Sequence, residues 1–182
     1  LLDACAPAMR HWEWGRLQYL CGLAAEEFVG VSPVRAAAYS PDGSTLATAD
    51  EAGTVTLRAT ADNAAEQQAV RTAALDVAIN ALAYGPDGTI LAAAGADGVI
   101  RLLDATTLAV TRCLRGHTEG VLSVDFSAVG GLLASAGYDQ TVRLWNPTTG
   151  EASASLAGHT WWVWSARFSD DGRRLASAGQ DG

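Results

Sequence analysis

The chain has 182 residues, a formal net charge of −8 and 49% hydrophobic residues. That is enough apolar material for a sizeable core and excludes wholesale disorder, while the acidic balance argues against nucleic acid, because a duplex selects clustered positive charge. No apolar run approaches the roughly 18 residues that span a bilayer, so no membrane contact is expected.

Residues 1–28 read differently from everything after them. "LLDACAPAM" lacks the basic start and apolar run of a secretory signal. In "APAMRHWEWGRLQYLCGLAAEEF", Trp12, Leu17, Leu20, Cys21 and Ala24 recur at largely helical spacing, and Pro7 suits a first turn. Gly15 weakens such a helix by about 1 kcal/mol relative to Ala. The spacing predicts a short helical linker over 1–28, either docking an upstream domain or packing on the side of residues 29–182. Cys5 and Cys21 join Cys113 in a set of three with no C-x-x-C pair. That fits free thiols in a reducing, cytoplasmic compartment.

From residue 29 onward one pattern recurs four times. "YSPDGSTLATA" begins at Tyr39, "YGPDGTILAAA" at Tyr84, "FSAVGGLLASA" at Phe126 and "FSDDGRRLASA" at Phe168, at intervals of 45, 42 and 42 residues. In the third unit "VLSVDFS", "LLASAG", "TVRLWN" and "EASASLA" read as short strands, separated by the turn compositions "AVGG", "YDQ" and "NPTTG". Such a period means four-stranded sheets, too small to hide both faces alone, stacked around an axis. The units fall at about residues 31–70, 71–114, 115–156 and 157–182, the last incomplete. The first carries "RATADNAAEQQAVRTAAL", three residues longer than its counterparts. Ala, Glu and Gln favour helix there, yet the repeat demands a loop and a short outer strand.

The third unit holds His117, Ser135 and Asp139, the parts of a hydrolase triad, and the fourth holds His159, Ser177 and Asp181 at 42 residues' distance. Active sites are rarely duplicated unit by unit, and a nucleophilic Ser needs an exposed hydroxyl rather than an apolar strand. These residues therefore read as structural. The second unit keeps Asp97 but has Leu75, Ala93 and Leu103 at the other positions. The first has Gly30, Thr48, Ala52 and Arg58, with Asp50 or Glu51 as substitute carboxylates. These two units are expected to rest on apolar packing and backbone ladders, and to be the less rigid half.

The combination of "GH", "SPDG"-like turns, "LASAG-x-D" and "TVRLWN" resembles the WD-repeat β-propeller family over roughly residues 31–182. The resemblance implies an all-β fold: a partial β-propeller of about three and a half four-stranded antiparallel blades, preceded by the short α-helical segment. It implies a structural hydrogen-bonded tetrad of His117, Ser135, Asp139 and Trp145, with His159, Ser177 and Asp181 in the fourth repeat and Asp97 remaining in the second. It also implies a partner-binding face, formed by the loop entering each first strand and the turn between the second and third strands. Those positions are Glu119, Gly120, Leu122 and Tyr138, then Trp161, Trp162, Trp164 and Gln180. Aromatic residues are favoured hot spots. Strand alternation puts Val163 on the side opposite Trp162 and Trp164. The competing reading packs one or two of these Trp between blades.

The function expected is a non-catalytic protein–protein interaction scaffold whose partners are other proteins or domains of the parent chain. No metal is expected, since His11, His117 and His159 show no ligand spacing and the Asp-containing turns are hairpins rather than calcium loops. All twelve basic residues are Arg, so a Walker phosphate loop is impossible, and no cofactor is expected. One alternative is a propeller hydrolase or lyase with a site in its central channel. It needs converging polar residues at the inner strand starts, where the sequence offers mainly Ala, Val, Leu and Ser. The other is a purely structural spacer, against which exposed aromatics argue. "LLDACAPAMRHWEWGRLQYLC" resembles a linker of large bacterial proteins that join a Ser/Thr protein kinase to a WD-repeat propeller. That implies a bacterial signalling context, with any kinase activity in another domain. The start without Met and the end at "SAGQDG" lead to the expectation of a piece of a longer propeller, whose open strand edges favour self-association when it is alone.

Overall fold

Runs of Val, Leu, Ile, Thr and Ala alternate with Gly- and Asp-containing turns, and the backbone follows that alternation. The computed structural model describes residues 32–60, 71–129 and 131–182, and all regular structure among them is β. The first sheet contains β1 (Val34–Tyr39), β2 (Thr45–Asp50), β3 (Thr54–Ala59) and β4 (Arg71–Ala74). The second contains β5 (Ile79–Tyr84), β6 (Ile90–Gly95), β7 (Val99–Asp104) and β8 (Val110–Arg115). The third contains β9 (Val121–Phe126), β10 (Leu133–Gly137), β11 (Val142–Trp145) and β12 (Ala152–Leu156), and β13 (Val163–Phe168) pairs with β14 (Leu175–Gly179). Each sheet is an antiparallel meander in chain order. The first strands β1, β5, β9 and β13 lie side by side, so the sheets fan out as blades from a shared inner edge.

Both faces of a middle blade are covered, which explains why its strands read as nearly continuous apolar runs. Leu91, Ala93 and Leu103 face the first blade, in a layer with Ala47, Ala49, Val55 and Leu57. Ala92, Ala94, Ile100 and Leu102 face the third, in a layer with Val121, Val124, Leu133 and Trp145. A smaller layer joins Ala136 and Val142 to Val163 and Ala166. The small Ala side chains of β2, β6 and β10 let the sheets approach closely beside the inner strands.

The turns also fit blade against blade. Gly98 has φ of +78°, and a Cβ there would lie 2.9 Å from the Glu119 carbonyl oxygen and 3.0 Å from that of His117. Only glycine allows the second blade's turn to seat against the loop entering the third.

One sequence expectation changes here. The boundary at about residue 70 moves past Ala74, because Thr54–Leu57 of β3 pair with Ala74–Arg71 of β4, which makes β4 the outer strand of the first blade. The linker helix expected over 1–28 lies outside the described residues, as do residues 61–70 of the long connection before β4.

Candidate functional site

In the third blade the sequence places a His in the loop before β9, a Ser on β10, an Asp in the β10–β11 turn and a Trp at the end of β11. The fold brings all four together. His117 Nδ1 lies 2.8 Å from Asp139 Oδ2, and His117 Nε2 lies 2.7 Å from Ser135 Oγ. The Trp145 indole N–H donates to Ser135 Oγ at 2.8 Å. Asp139 also accepts from the Thr118 and Thr141 backbone N–H groups and from the Thr141 hydroxyl.

Hydrogen-bond arithmetic fixes the proton positions. The carboxylate only accepts, so His117 Nδ1 carries a proton and donates it. Nε2 is then the acceptor for the Ser135 O–H, while Ser135 Oγ accepts from Trp145. Each polar atom along this chain is satisfied by its neighbour, as a buried network requires. Burial pushes the His117 pKa below the ordinary histidine range, against the upward pull of the Asp139 contact and with a further downward push from nearby Arg143. Burial alone would raise the Asp139 carboxyl, but the His117, Thr141 and Thr118 donors outweigh it and hold its pKa below the usual range.

The three-residue line resembles a triad, yet its oxygen is inaccessible. Ser135 is 0% exposed. Its hydroxyl already donates to one neighbour and accepts from another, and a nucleophile must reach its substrate. A serine-directed active-site reagent should therefore leave Ser135 unlabelled in the folded chain, which peptide mapping checks. Ser135→Ala should cost about 2 kcal/mol in urea unfolding, because it orphans a buried indole N–H and a buried imidazole nitrogen.

The protonation chain also predicts a pH dependence. The unfolded His117 takes up a proton as pH falls below about 6.5, while the folded one resists until lower pH. The unfolded state thus binds more protons in that window, and stability falls on acidification, by at most about 1.4 kcal/mol per pH unit for this group. Asp139 adds a further loss at lower pH, where its folded-state carboxyl is finally protonated. Urea unfolding at pH 7, 6 and 5 should show a shallower slope for His117→Gln than for the wild type. Equal slopes would contradict the neutral, buried imidazole.

The other blades carry reduced versions. In the fourth, His159 Nδ1 lies 2.6 Å from Asp181 Oδ1 and Nε2 lies 2.9 Å from Ser177 Oγ, with the Thr160 N–H donating to Asp181. In the second, the expectation that Asp97 stands without a network is corrected. Arg101 donates to both its oxygens, Nη2 to Oδ2 at 2.8 Å and Nη1 to Oδ1 at 3.1 Å, and the Arg101 contact leads the causes that lower the Asp97 pKa. Leu75 and Ala93 leave the turn carboxylate without its usual donor, and the arginine four residues on, across the tight turn, fills the gap. In the first blade Asp50 accepts from the Thr54 N–H at 2.7 Å, the amide equivalent to that of Thr141, while Glu51 pairs with Arg35.

The inner strands, from Arg35 and Asn80 at their starts to Asp125 near the end of β9, carry more polar groups than the sequence suggests. The Arg35 guanidinium donates to Asn80 Oδ1 and the Asn80 amide donates to the Val121 carbonyl, linking three blades in a row. Asp125 accepts from Arg167 and from the Phe168 N–H, and Ser123 bonds to the Ala166 backbone, fixing the third blade to the fourth. These groups were missed because each contact spans about one repeat.

The aromatic partner-face candidates form one patch. Trp161, Trp162 and Trp164 are 51%, 37% and 46% exposed, while Val163 between them is buried. Tyr138, half-buried on the preceding turn, meets Trp162 at a ring-centroid distance of 4.9 Å and Trp164 at 6.3 Å. Trp162 and Trp164 are 5.7 Å apart, and Trp161 and Trp162 6.2 Å. Glu119 and Gln180 are exposed and Leu122 is half-buried. A Cβ on Gly120, next to Glu119, would lie 3.2 Å from the Tyr138 ring, and the Gln180 N–H donates to the Trp162 carbonyl. Among the described residues no group of His, Cys, Asp and Glu is arranged to hold a metal ion, and no helix is long and apolar enough to cross a membrane.

Comparison with known proteins gives the family directly. The family model described as "WD domain, G-beta repeat" matches residues 27–57, 68–104, 108–146 and 150–182. The fold resembles the solved structure of the RRP9 WD40 repeats, with a TM-score of 0.74 and 18% identity, covering 84% of this chain and 46% of that one. The structure of U3-55K is similar at a TM-score of 0.72 and 17% identity, with 84% and 47% covered. The chain thus spans about half the length of these solved structures, and at these identities they bear on the fold alone. No curated protein sequence matches it. WD-repeat proteins generally act as protein-interaction scaffolds and are typically not enzymes. With four repeat matches, four antiparallel sheets in meander order and a His–Ser–Asp–Trp network in the third of them, the chain belongs to the WD-repeat family.

Proposed function

We propose that this chain is part of a non-catalytic interaction propeller in a bacterial multidomain signalling protein, and that its partners are other proteins or domains of the parent chain. The observation that carries this reading is the patch of Tyr138, Trp161, Trp162 and Trp164, in which three Trp side chains stand a third or more exposed in one place. Exposed aromatics of this kind bury large area on binding at low entropic cost. The contrast with the third blade supports it, since Gly120 and Leu122 occupy the positions of Trp162 and Trp164 and that blade is complete without them. The absence of a reachable nucleophile at Ser135 supports a non-catalytic role. The net charge of −8 supports protein rather than nucleic-acid partners. The three cysteines, odd in number and without a C-x-x-C pair, support a cytoplasmic setting.

Affinity capture from an extract with the parent chain tests the reading. Trp162→Ala/Trp164→Ala should lose at least about tenfold of the captured partner, the scale of one or two hot-spot residues. Val129→Ala, which trims an exposed apolar residue elsewhere, should lose none. Equal capture by all three chains would remove the patch from the interaction.

A further inference from the structure

Each blade carries a bulge at the same point of its inner strand. The register shifts between Val34 and Ala36, between Ile79 and Ala81, opposite Ala136 and Gly137, and between Val163 and Ser165. The residues left unpaired are Arg35, Asn80, Leu122 and Trp164. A bulge re-aims its extra side chain. Arg35 and Asn80 are spent on contacts between blades. Trp164 instead joins Trp162 and Tyr138, and Trp161 extends the row, with steps of 6.2 Å from Trp161 to Trp162 and 5.7 Å from Trp162 to Trp164. The rings meet at steep angles, 88° for Trp162 with Trp164 and 72° for Tyr138 with Trp162, and every Trp in the row is exposed, so the patch is an open, stepped surface.

Besides apolar area, this surface offers hydrogen-bond donors. The Trp145 indole N–H is spent on Ser135 Oγ. Those of Trp161, Trp162 and Trp164, and the Tyr138 hydroxyl, bond to no group among the described residues. An indole N–H can only donate. A partner that covers these rings must supply acceptors, or it buries donors without partners, at a cost for each. Backbone conformation decides which partners can do so. A helix has already spent its carbonyls on its own ladder. A strand brings an N–H for every carbonyl. A proline-rich segment in the polyproline II conformation has no internal hydrogen bonds, so its carbonyls stand free, and each proline brings no N–H at all. One turn of that helix is three residues and about 9 Å, so about four to six residues cover the two steps of the Trp row.

We propose that the surface of Tyr138, Trp161, Trp162 and Trp164 takes a proline-rich, extended segment of a partner protein. The inference rests on the patch being the partner surface. The pyrrolidine rings pack on the exposed indoles, and the carbonyls between them accept from the indole N–H groups and the Tyr138 hydroxyl. Such a segment is already extended before it docks, so little ordering cost is left to binding. The net charge of −8 disfavours acidic or phosphorylated segments at the same surface.

Calorimetric titration of the parent chain with decaproline, a glycine–serine decamer and an amphipathic helical peptide decides it. Decaproline should bind saturably, with a Kd of about 1 mM or tighter, and the other two should not. Tyr138→Phe and Trp162→Phe each keep a ring and lose a donor. Each should weaken decaproline binding about threefold to tenfold, the scale of one hydrogen bond, with the unfolding midpoint unchanged. Trp162→Ala/Trp164→Ala should abolish the binding, and Val129→Ala should preserve it. No saturable binding of decaproline, equal binding of the helical peptide, or full-strength binding by both Phe variants would overturn the proposal. If decaproline fails while capture still depends on Trp162 and Trp164, the proline-rich partner falls and the interaction surface stands. If that capture is also unchanged, the surface falls with it.

Discussion

Trp145→Ala should lower the unfolding free energy by about 3 to 5 kcal/mol, the usual range for deleting a fully buried large aromatic. The indole is 1% exposed and fills the layer between the second and third blades, with Ile100, Leu102, Leu114 and Leu133 in the same cluster. The surrounding strands are locked by ladders on both sides, so the space cannot collapse. Gly116 is fitted to the ring as well, since a Cβ there would lie 3.0 Å from Trp145 Cη2. The same substitution removes the N–H that anchors Ser135 Oγ. Trp145→Phe separates the two effects. It keeps most of the apolar volume and loses only the donor and part of the ring, so it should cost about 1 to 2 kcal/mol. Domains of this size have total stabilities of about 5 to 15 kcal/mol, so the Ala variant should lose about a fifth or more of its stability. Urea unfolding of both variants is the measurement. An Ala variant that costs less than the Phe variant would mean that Trp145 does not carry the layer.

Most of the strand pattern was legible because it repeats. The intervals between Tyr39, Tyr84, Phe126 and Phe168 mark corresponding strand ends, and the turn residues between them leave little freedom of assignment. The third-blade network was legible for the same reason, since His117, Ser135 and Asp139 each return one repeat later with their spacing intact. Alternation also placed Val163 on the side opposite Trp162 and Trp164, and the structure adds that Val163 is the buried one. What stayed hidden depends on substitution and on neighbours. The loss of His and Ser from the second blade is visible in the sequence, but it does not say that Arg101 will turn back to Asp97. An arginine in the same place, Arg143, does something different in the third blade, where Asp139 is already occupied by His117. Arg35, Asn80 and Asp125 make contacts that depend on which blade edges adjoin and on a bulge that re-aims the side chain, and neither is a property of local sequence. The position of β4 was obscured by a connection whose Ala, Glu and Gln content suggests helix, although Arg71–Ala74 pair with β3.

Asp139→Ala should cost about 2 to 4 kcal/mol, and Asp97→Ala about 1 kcal/mol, although both remove the same turn carboxylate. The difference lies in what each leaves behind. The Asp139 side chain is 4% exposed and its removal strands the His117 Nδ1–H, 0% exposed, together with the Thr118 and Thr141 backbone donors. The buried imidazole N–H cannot turn to water without moving the loop. The Asp97 side chain is 37% exposed, and its partner Arg101 has a long, flexible stem that can carry the freed guanidinium to solvent. Asp139→Asn tests the argument more closely. The amide accepts only through its carbonyl oxygen, and its NH2 can only donate. If its NH2 faces His117 instead, the imidazole must shift its proton to Nε2, which then points at Ser135 Oγ. That oxygen can accept both the imidazole and the indole N–H groups, but the Ser135 O–H loses its acceptor, so one buried donor is orphaned in either arrangement. Asp139→Asn should therefore fall between the two Ala variants. Urea unfolding of the three variants at pH 7 should give the order Asp139→Ala, Asp139→Asn, Asp97→Ala from most to least destabilised. Equal costs for Asp139→Ala and Asp97→Ala would show that the turn carboxylate acts through the turn amides alone and that the His–Ser–Trp chain behind it adds nothing.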